Sequence, residues 1–304
     1  MKKRKKLLNF IFTCFFTLTA IFFLGRFAPG DPIERILGPE ASFEEIQGYK
    51  KDLGLNLPLA QQFSSFVKKV IRGDLGKSLF KREKVIGLLI KHFEPTLKIA
   101  FFTIFFSSLF GIFLGVLSAE KKSTKLDHSL RLLTLVSLSL PIFSLGPILV
   151  YLFAVKFQFF PVSEWGNGEI KYLILPVLTL VIPLSAILSR FTRNKYLEES
   201  KGQWIEVLKA KGMSNFSIQL RILKICSPSI INVIAIQLSV ILAGTMITET
   251  IFDIPGMGSL LLESIENRDY PVIQGVVLYS TVIYMLIYFS ADLVCEKLDP
   301  RISE

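Results

Sequence analysis

The chain has 304 residues, of which 51% are hydrophobic, 20% are charged and 27 are phenylalanine. Its mean hydropathy of +0.51 is too high for a soluble globular domain of this length, so the composition excludes that class. The formal net charge of +10 would suit a nucleic-acid-binding protein. The basic residues stand beside apolar runs, however, which is typical of membrane topology and of contact with anionic lipid, so we expect no nucleic-acid partner.

Six apolar runs are long enough to cross the hydrocarbon core of a lipid bilayer, which takes about 20 helical residues. In chain order they are residues 7–27, 96–118, 132–155, 172–189, 229–248 and 272–293. Because the bilayer offers backbone groups no water, each run is predicted to be helical, with Pro141, Pro147 and Pro183 as kinks. The predicted fold class is therefore all-α, a polytopic membrane protein with six transmembrane helices.

Lysine and arginine are concentrated at the N-terminus and in the second and fourth loops, which places both termini and those loops on the cytoplasmic side. Residues 1–27 form the basic N-terminus and first helix, residues 28–95 an external loop, and residues 96–304 a five-helix core. A cleaved secretory signal is the alternative interpretation of the first run, but the run is too long and no good cleavage site follows it. We expect a multi-pass protein of the cytoplasmic (inner) membrane.

The chain shows no energy source of its own. Residues 76–78 (GKS) resemble the end of a phosphate-binding loop, but that pattern needs a glycine five positions before Gly76, and Ile71 stands there. Ion-driven carriers usually bury ionisable residues within their spans, and the centres of these runs hold essentially none. His92 and His128 lie in different loops, so we expect neither a catalytic dyad nor a metal site. An ion-coupled secondary carrier and a membrane-embedded enzyme stay as alternatives.

The fourth loop holds a cytoplasmic segment, residues 190–228, whose pattern is that of helices and not of a linker. Residues 198–211 place apolar side chains on one side of a helix. Gly212 suits a left-handed helix end, and Ser214 can cap a second helix over residues 215–225. The predicted element is a short helix, a sharp turn and another helix, although a helix lying on the membrane surface would show the same pattern.

This segment resembles the Glu-Ala-Ala loop of ABC importer permeases, in which a glutamate precedes a glycine by six residues. Glu206 precedes Gly212 by six residues here, while Val207 and Leu208 replace the two alanines of the general motif. The oligopeptide and dipeptide subfamily has an aromatic residue and a basic-Ala-Lys-Gly ending, and this chain is similar to that version. In the family this loop docks on the ATPase, so the resemblance implies an ATPase-coupling role. The residues concerned are Trp204, Glu206, Lys209, Ala210, Lys211 and Gly212.

The resemblance to this subfamily covers nearly the whole chain. Matching segments are 27–32 (FAPGDP), 53–58 (LGLNLP), 73–78 (GDLGKS), 249–258 (ETIFDIPGMG), 267–270 (NRDY) and 298–301 (LDPR). The segment 249–258 follows the signature Glu-x-x-Phe-x-x-Pro-Gly-x-Gly. It is interpreted either as a turn that closes the fifth span or as an external gate of the translocation path. The gate candidates are Glu249, Phe252, Pro255, Gly256 and Gly258.

The chain most resembles the first of the two permeases in peptide importers. The resemblance implies the type I ABC importer permease fold with both termini inside. It also implies a second homologous permease, two cytoplasmic ATPases and an external solute-binding protein as partners. The implied cargo is a dipeptide or oligopeptide, with nickel or another small solute as the alternative. ATP and Mg²⁺ would bind the ATPases, so the chain itself is expected to be no enzyme and to hold no cofactor.

Overall fold

The structure is a computed structural model that describes residues 2–27, 42–52 and 56–298. Within these ranges the regular structure is helical, apart from one isolated antiparallel β-bridge between Lys77 and Lys84. The predicted all-α class is thereby confirmed. Most of the segment at 27–32, half of that at 53–58 and most of that at 298–301 lie outside the described residues.

The described helices are named in chain order. They are α1 (Lys2–Phe27), α2 (Phe43–Asp52), α3 (Leu59–Ile71), α4 (Val85–Glu120), α5 (Lys125–Ser139), α6 (Ile142–Leu149), α7 (Ile170–Glu199), α8 (Trp204–Ala210), α9 (Asn215–Ala243), α10 (Met246–Ile251), α11 (Met257–Glu266) and α12 (Tyr270–Leu298). A π-helical segment, Val150–Lys156, continues α6, and a short 3-10 helix, Gly166–Gly168, precedes α7.

In the described part of the chain, four helices are long and apolar enough to cross a membrane: α4, α7, α9 and α12. They contain the second, fourth and sixth predicted runs and residues 229–243 of the fifth, whose last residues lie beyond the end of α9. Helix α1 covers the first run and holds a shorter apolar stretch, Phe10–Phe23. The helices extend past the apolar runs because backbone hydrogen bonding continues beyond the hydrocarbon layer. Residues 85–95 of the predicted external loop, for example, already belong to α4.

The third predicted run is a broken span, not one kinked helix. Helix α5 and the combined α6 and π-helical segment meet at an angle of 101°. Leu140 has extended backbone dihedrals, and Pro141 is the N-cap residue of α6. Proline lacks an N–H and disfavours helical dihedrals in the residue before it, so a break forms where the sequence predicted a kink. Pro147 and Pro183, by contrast, lie within continuous helices.

Helices α4 and α7 form the most extensive helix pair of the bundle. A Cβ atom at Gly111 would lie 2.8 Å from the Cβ of Leu188, and one at Gly115 would lie 2.7 Å from the carbonyl oxygen of Ser189. The two glycines therefore permit the close backbone approach that small residues provide between membrane helices. Helix α9 packs between α7 and α12 and completes the centre of the bundle.

The two ends of the bundle are closed by different apolar clusters. At one end, Ile205 and Ile218 join α8 and the start of α9 to the last turns of α4 and α7. At the other end, Val85, Met257 and Val272 join the starts of α4, α11 and α12. The loops predicted to be cytoplasmic thus lie together at one end, and those predicted to be external lie at the other.

Candidate functional site

The predicted coupling helix corresponds to α8, a helix of seven residues, Trp204–Ala210. The prediction of one helix over residues 198–211 was too long, because Glu198 and Glu199 form the last turn of α7. A turn at residues 200–203 separates α7 from α8. Most of the predicted segment 190–228 is therefore continuous with the membrane helices α7 and α9. Short turns join α8 to the ends of both helices.

The turn after α8 has the geometry that its glycine predicts. Gly212 has a φ of +74°. Its amide donates to the carbonyl of Lys209 at 2.9 Å, and the amide of Met213 donates to the carbonyl of Leu208 at 3.2 Å. This pair of bonds is a Schellman ending, for which glycine is preferred because it adopts positive φ without strain. Ser214 then caps α9 by accepting from the amide of Ser217 at 3.3 Å, as predicted. 

Helix α8 has an inner side that packs on the bundle and an outer side that is exposed. Ile205 is buried, and Trp204 and Leu208 are half-buried in the same apolar cluster. Trp204 also covers Gly202, where any Cβ would overlap the indole ring. Trp204 is thus a packing residue of α8. The exposed residues are Glu206, Val207, Lys209, Ala210, Lys211 and Gly212, and we call them the outer surface of α8.

The outer surface of α8 combines a carboxylate, two ammonium groups and small or apolar residues. Val207, which replaces an alanine of the general motif, is 53% exposed. Phe216 and Leu220, one turn apart in the first turns of α9, are exposed as well. The sequence analysis missed these two residues, although their i, i+4 spacing beside the basic Arg221 and Lys224 was a visible signal.

The second candidate site is the signature segment at 249–258. The Glu249 side chain is fully buried, and its carboxylate caps the N-terminus of α11. Oε2 accepts from the amides of Gly258 at 2.7 Å and Ser259 at 2.9 Å, and Oε1 accepts from the hydroxyl of Thr96 at 3.0 Å. The hydroxyl oxygen of Thr96 in turn accepts from the amide of Met257 at 2.9 Å. One carboxylate thus satisfies free amides of a helix start and ties α10, α11 and α4 together.

Two opposing influences act on the Glu249 carboxyl, which lies outside the helices that can span the membrane. Burial is the stronger influence and raises its pKa above the ordinary value, while the hydrogen bonds from Ser259, Thr96 and Gly258 offset part of that rise. The amides of Gly258 and Ser259 can only donate, so the carboxyl serves as their hydrogen-bond acceptor.

The other signature residues shape the turn around this carboxylate. A Cβ at Gly256 would overlap the Glu249 carboxyl, and one at Gly258 would lie 2.5 Å from the amide nitrogen of Met246. Phe252 is buried in the apolar core, whereas Pro255 is exposed in the bend before α11. The structure brings Glu249, Gly256 and Gly258 into contact, but no side-chain contact of Phe252 or Pro255 with the carboxylate is seen among the described residues. This geometry is that of a tightly closed turn, and a gating role for the segment stays a prediction.

A third polar group, which the sequence analysis missed, joins the ends of α4, α5 and α7. Asp127 is 1% exposed and accepts two bonds of 2.9 Å from Nε and Nη2 of Arg193. It also accepts from the hydroxyl of Ser118 at 2.6 Å and from the amide of Ser123 at 3.0 Å. Arg193 had been interpreted only as a topological charge. The one local signal was Thr124, which caps α5 by accepting from the amide of Asp127 at 3.4 Å.

Replacing Asp127 by asparagine is expected to lower the folding stability by about 2 kcal/mol. The Arg193 guanidinium, 15% exposed, would lose a bidentate ionic partner in a site that water reaches only in part. Thermal unfolding of the purified chain in detergent measures the loss. Glu198→Gln is the control, because its ion pair with Lys195 is exposed and is expected to matter by less than about 0.5 kcal/mol. Equal melting temperatures for the two variants would contradict the assignment.

On the opposite end of the bundle, two of the segments shared with the subfamily contact each other. Asp269 accepts from the hydroxyl of Ser78 at 2.5 Å and from the amide of Leu79 at 3.1 Å. Lys81 pairs with Glu263 at 2.6 Å. The loop after residue 73 is thereby fastened to the turn between α11 and α12, a contact between residues 191 positions apart that no local pattern predicts.

Three comparisons with known proteins agree with this architecture. Residues 111–304 match the family model described as binding-protein-dependent transport system inner membrane component. The chain is 36% identical over 289 residues to a probable peptide ABC transporter permease, y4tP, of Sinorhizobium fredii, covering 93% of this chain and 92% of that protein. It is 30% identical over 299 residues to the glutathione transport system permease GsiC of Escherichia coli K12, covering 98% and 97%.

A solved structure of the MetNI methionine ABC transporter in an inward-facing conformation is similar in fold. Its matched chain superposes with a TM-score of 0.60 at 19% identity, covering 70% of this chain and 97% of that one. The similarity confirms the type I importer permease fold that the sequence motifs implied.

Proposed function

Because this chain belongs to the family of inner membrane components of binding-protein-dependent transport systems, we propose that it is one of two permease subunits of a peptide importer. It is a multi-pass transport subunit and not a catalytic one. In the proposed assembly it forms the translocation path with a second, homologous permease. An external solute-binding protein delivers the cargo, and two cytoplasmic ATPases bind ATP and Mg²⁺.

The observation that carries the proposal is the outer surface of α8. Glu206, Lys209 and Lys211 are exposed, and the helix that presents them is anchored by the buried Ile205. Because α8 is joined by short turns to α7 and α9, a partner that moves α8 also moves the ends of two membrane helices. Closure of ATP-bound ATPases would in this way shift the spans between inward and outward access.

Replacing Glu206 by arginine is the test of this coupling. We propose that Glu206 meets a cationic group of the ATPase, so uptake by the intact importer is expected to fall roughly tenfold or more when the charge is reversed. Insertion and melting temperature are expected to stay unchanged, because the Glu206 side chain is exposed. The control is Glu198→Arg, a charge reversal at another exposed glutamate, 70% exposed, near the same end of the bundle. Full ATP-driven uptake by Glu206→Arg would refute the coupling role.

Peptide is the proposed cargo because the two relatives just described are named for a peptide and for glutathione, itself a small peptide. Uptake of labelled dipeptides, longer peptides, glutathione and nickel by cells carrying the whole operon separates the alternatives. We expect peptide uptake that depends on Glu206. Nickel uptake without peptide uptake would show that the cargo is nickel and not peptide, and it would not contradict the coupling role.

A further inference from the structure

A cavity of about 480 Å³ lies between α5 and α7, beside the Asp127–Arg193 pair. Helix α5 ends at the 101° bend after Ser139, and the cavity occupies the space that remains between α5 and α7. The cavity is formed by successive turns of the two helices and includes the end of α4 at Ser118. None of its lining residues belongs to the outer surface of α8 or to the turn around Glu249.

One end of the cavity is cationic. Arg131, Arg190, Arg193 and His128 line it, and among the described lining residues none is acidic. The nearest carboxylate, Asp127, is already engaged by Arg193 at 2.9 Å and by Arg131 at 3.6 Å. The cavity is therefore lined by three guanidinium groups, while the one carboxylate beside it is already paired with two of them. The third, the exposed Arg190, makes no ion pair with another described residue. This end of the cavity favours an anion.

The other end is apolar. Leu132, Leu135 and Leu138 line it, and they follow one another along α5 in the direction of Pro141. They are 62%, 57% and 36% exposed, so described residues of the chain leave much of their surface uncovered. On α7, the basic residues likewise follow the apolar run that ends near Ser189. The cavity thus has its cationic end at the level of the predicted cytoplasmic membrane surface and its apolar end toward the hydrocarbon core.

We propose that this cavity binds an anionic phospholipid of the cytoplasmic leaflet. The phosphate lies between Arg131 and Arg190, where two guanidinium groups can donate charge-assisted hydrogen bonds to it. An acyl chain lies along the leucines of α5, in keeping with basic pockets between membrane helices that take anionic head groups. The bound lipid fills the cavity and connects α5 to α7, the helix that leads into α8. This inference does not rest on the identity of the cargo.

The test is lipid retention by the full chain, purified from membranes together with the subunits that accompany it. Phosphatidylglycerol is titrated into the delipidated protein and bound lipid is counted by native mass spectrometry, with phosphatidylcholine as the neutral reference. Arg190→Gln and Arg131→Gln are each expected to weaken phosphatidylglycerol binding roughly tenfold, the loss of one charge-assisted hydrogen bond. Arg190→Lys is expected to keep part of the affinity. The control is Arg221→Gln, an exposed basic residue of α9 outside the cavity, which should bind as the unaltered chain does.

Two further arms identify the source of the anion. Inorganic phosphate and glycerol phosphate lack acyl chains and are expected to compete poorly with phosphatidylglycerol. Leu135→Trp should reduce lipid binding by filling the apolar end. Equal retention in Arg190→Gln and Arg221→Gln, or equal binding of the two phospholipids, would overturn the proposal. Competition by inorganic phosphate at concentrations similar to those of the lipid would do so too, because the site would then take a small anion.

Discussion

The Glu249→Ala variant is expected to lose about 4 kcal/mol or more of folding stability and to disappear largely from the membrane fraction. The substitution removes an acceptor of three hydrogen bonds in a site with no exposed surface. The buried amide of Gly258 and the half-buried amide of Ser259 at the start of α11 would lose their acceptor, and an unpaired buried amide costs more than its bond contributed. Immunoblots of membrane fractions and thermal unfolding in detergent measure the loss.

Two matched variants separate the structural role of Glu249 from a role in gating. Glu249→Gln is expected to lose less than the alanine variant, since one amide oxygen can still accept from the amides of α11 or from Thr96. Glu263→Gln, in α11 but with a half-exposed carboxylate paired to Lys81, is expected to unfold like the unaltered chain. Loss of uptake at an unchanged melting temperature in Glu249→Gln would show the gate interpretation to be correct and the structural one insufficient.

Replacing glycine by alanine is expected to have opposite effects at two positions. At Gly258 the added Cβ would lie 2.5 Å from the amide nitrogen and 2.6 Å from the Cα of Met246. Backbone atoms cannot rotate away as a flexible side chain can, so we expect a loss of about 3 kcal/mol. At Gly87 in α4 nothing lies within 4 Å of the new Cβ, and alanine should gain up to about 1 kcal/mol through its helix propensity.

The comparison of Gly258→Ala with Gly87→Ala needs only melting temperatures of the two purified variants. If the melting temperatures of both variants changed in the same direction, the start of α11 would not approach the start of α10 as closely as the structure shows. Gly244→Ala offers a further check, because its Cβ would lie 2.6 Å from the amide nitrogen of Gly258 from the other side of the same contact.

The helices were predictable because a membrane span has a signal within its own sequence. Long apolar runs and flanking basic residues depend only on neighbouring positions, and the all-α class and the loops at each end followed from them. Boundaries were less predictable. Helix α4 starts at Val85 and α7 runs to Glu199, because hydrogen bonding of the backbone continues past the apolar runs that define a span in the sequence.

Local signals also predicted the turn after α8. Gly212 and Ser214 act within a few residues of their own position, through a positive φ and a side-chain cap, so their roles were visible without the fold. The role of Trp204 could be predicted only in part. Its place in the aromatic and basic motif was recognised, but its packing on the inner side of α8 depends on the cluster that α7 and α9 supply.

The polar contacts that fasten the bundle were not predictable from one sequence. Thr96 and Glu249 are 153 positions apart, and Asp127 and Arg193 are 66 apart. No periodicity links such pairs, and each member has an ordinary local explanation, as a span residue, a turn residue or a topological charge. The Pro141 break was missed for a related reason. Proline disfavours a straight helix everywhere, but only tertiary packing decides whether the result is a slight kink or an angle of 101°.

The broken third span also determines what can lie beside the backbone carbonyls at the end of α5. The last carbonyls of α5 have no intrahelical donor, and Ser139, Leu140 and Pro141 are exposed on this chain. Hydrocarbon cannot hydrate bare carbonyls, so non-helical backbone at that depth requires either water or a second protein surface beside it. A single copy surrounded by lipid alone would leave these carbonyls without hydrogen-bond donors. We expect residues 139–141, which follow the leucines proposed to contact an acyl chain, to border an aqueous channel or a neighbouring subunit.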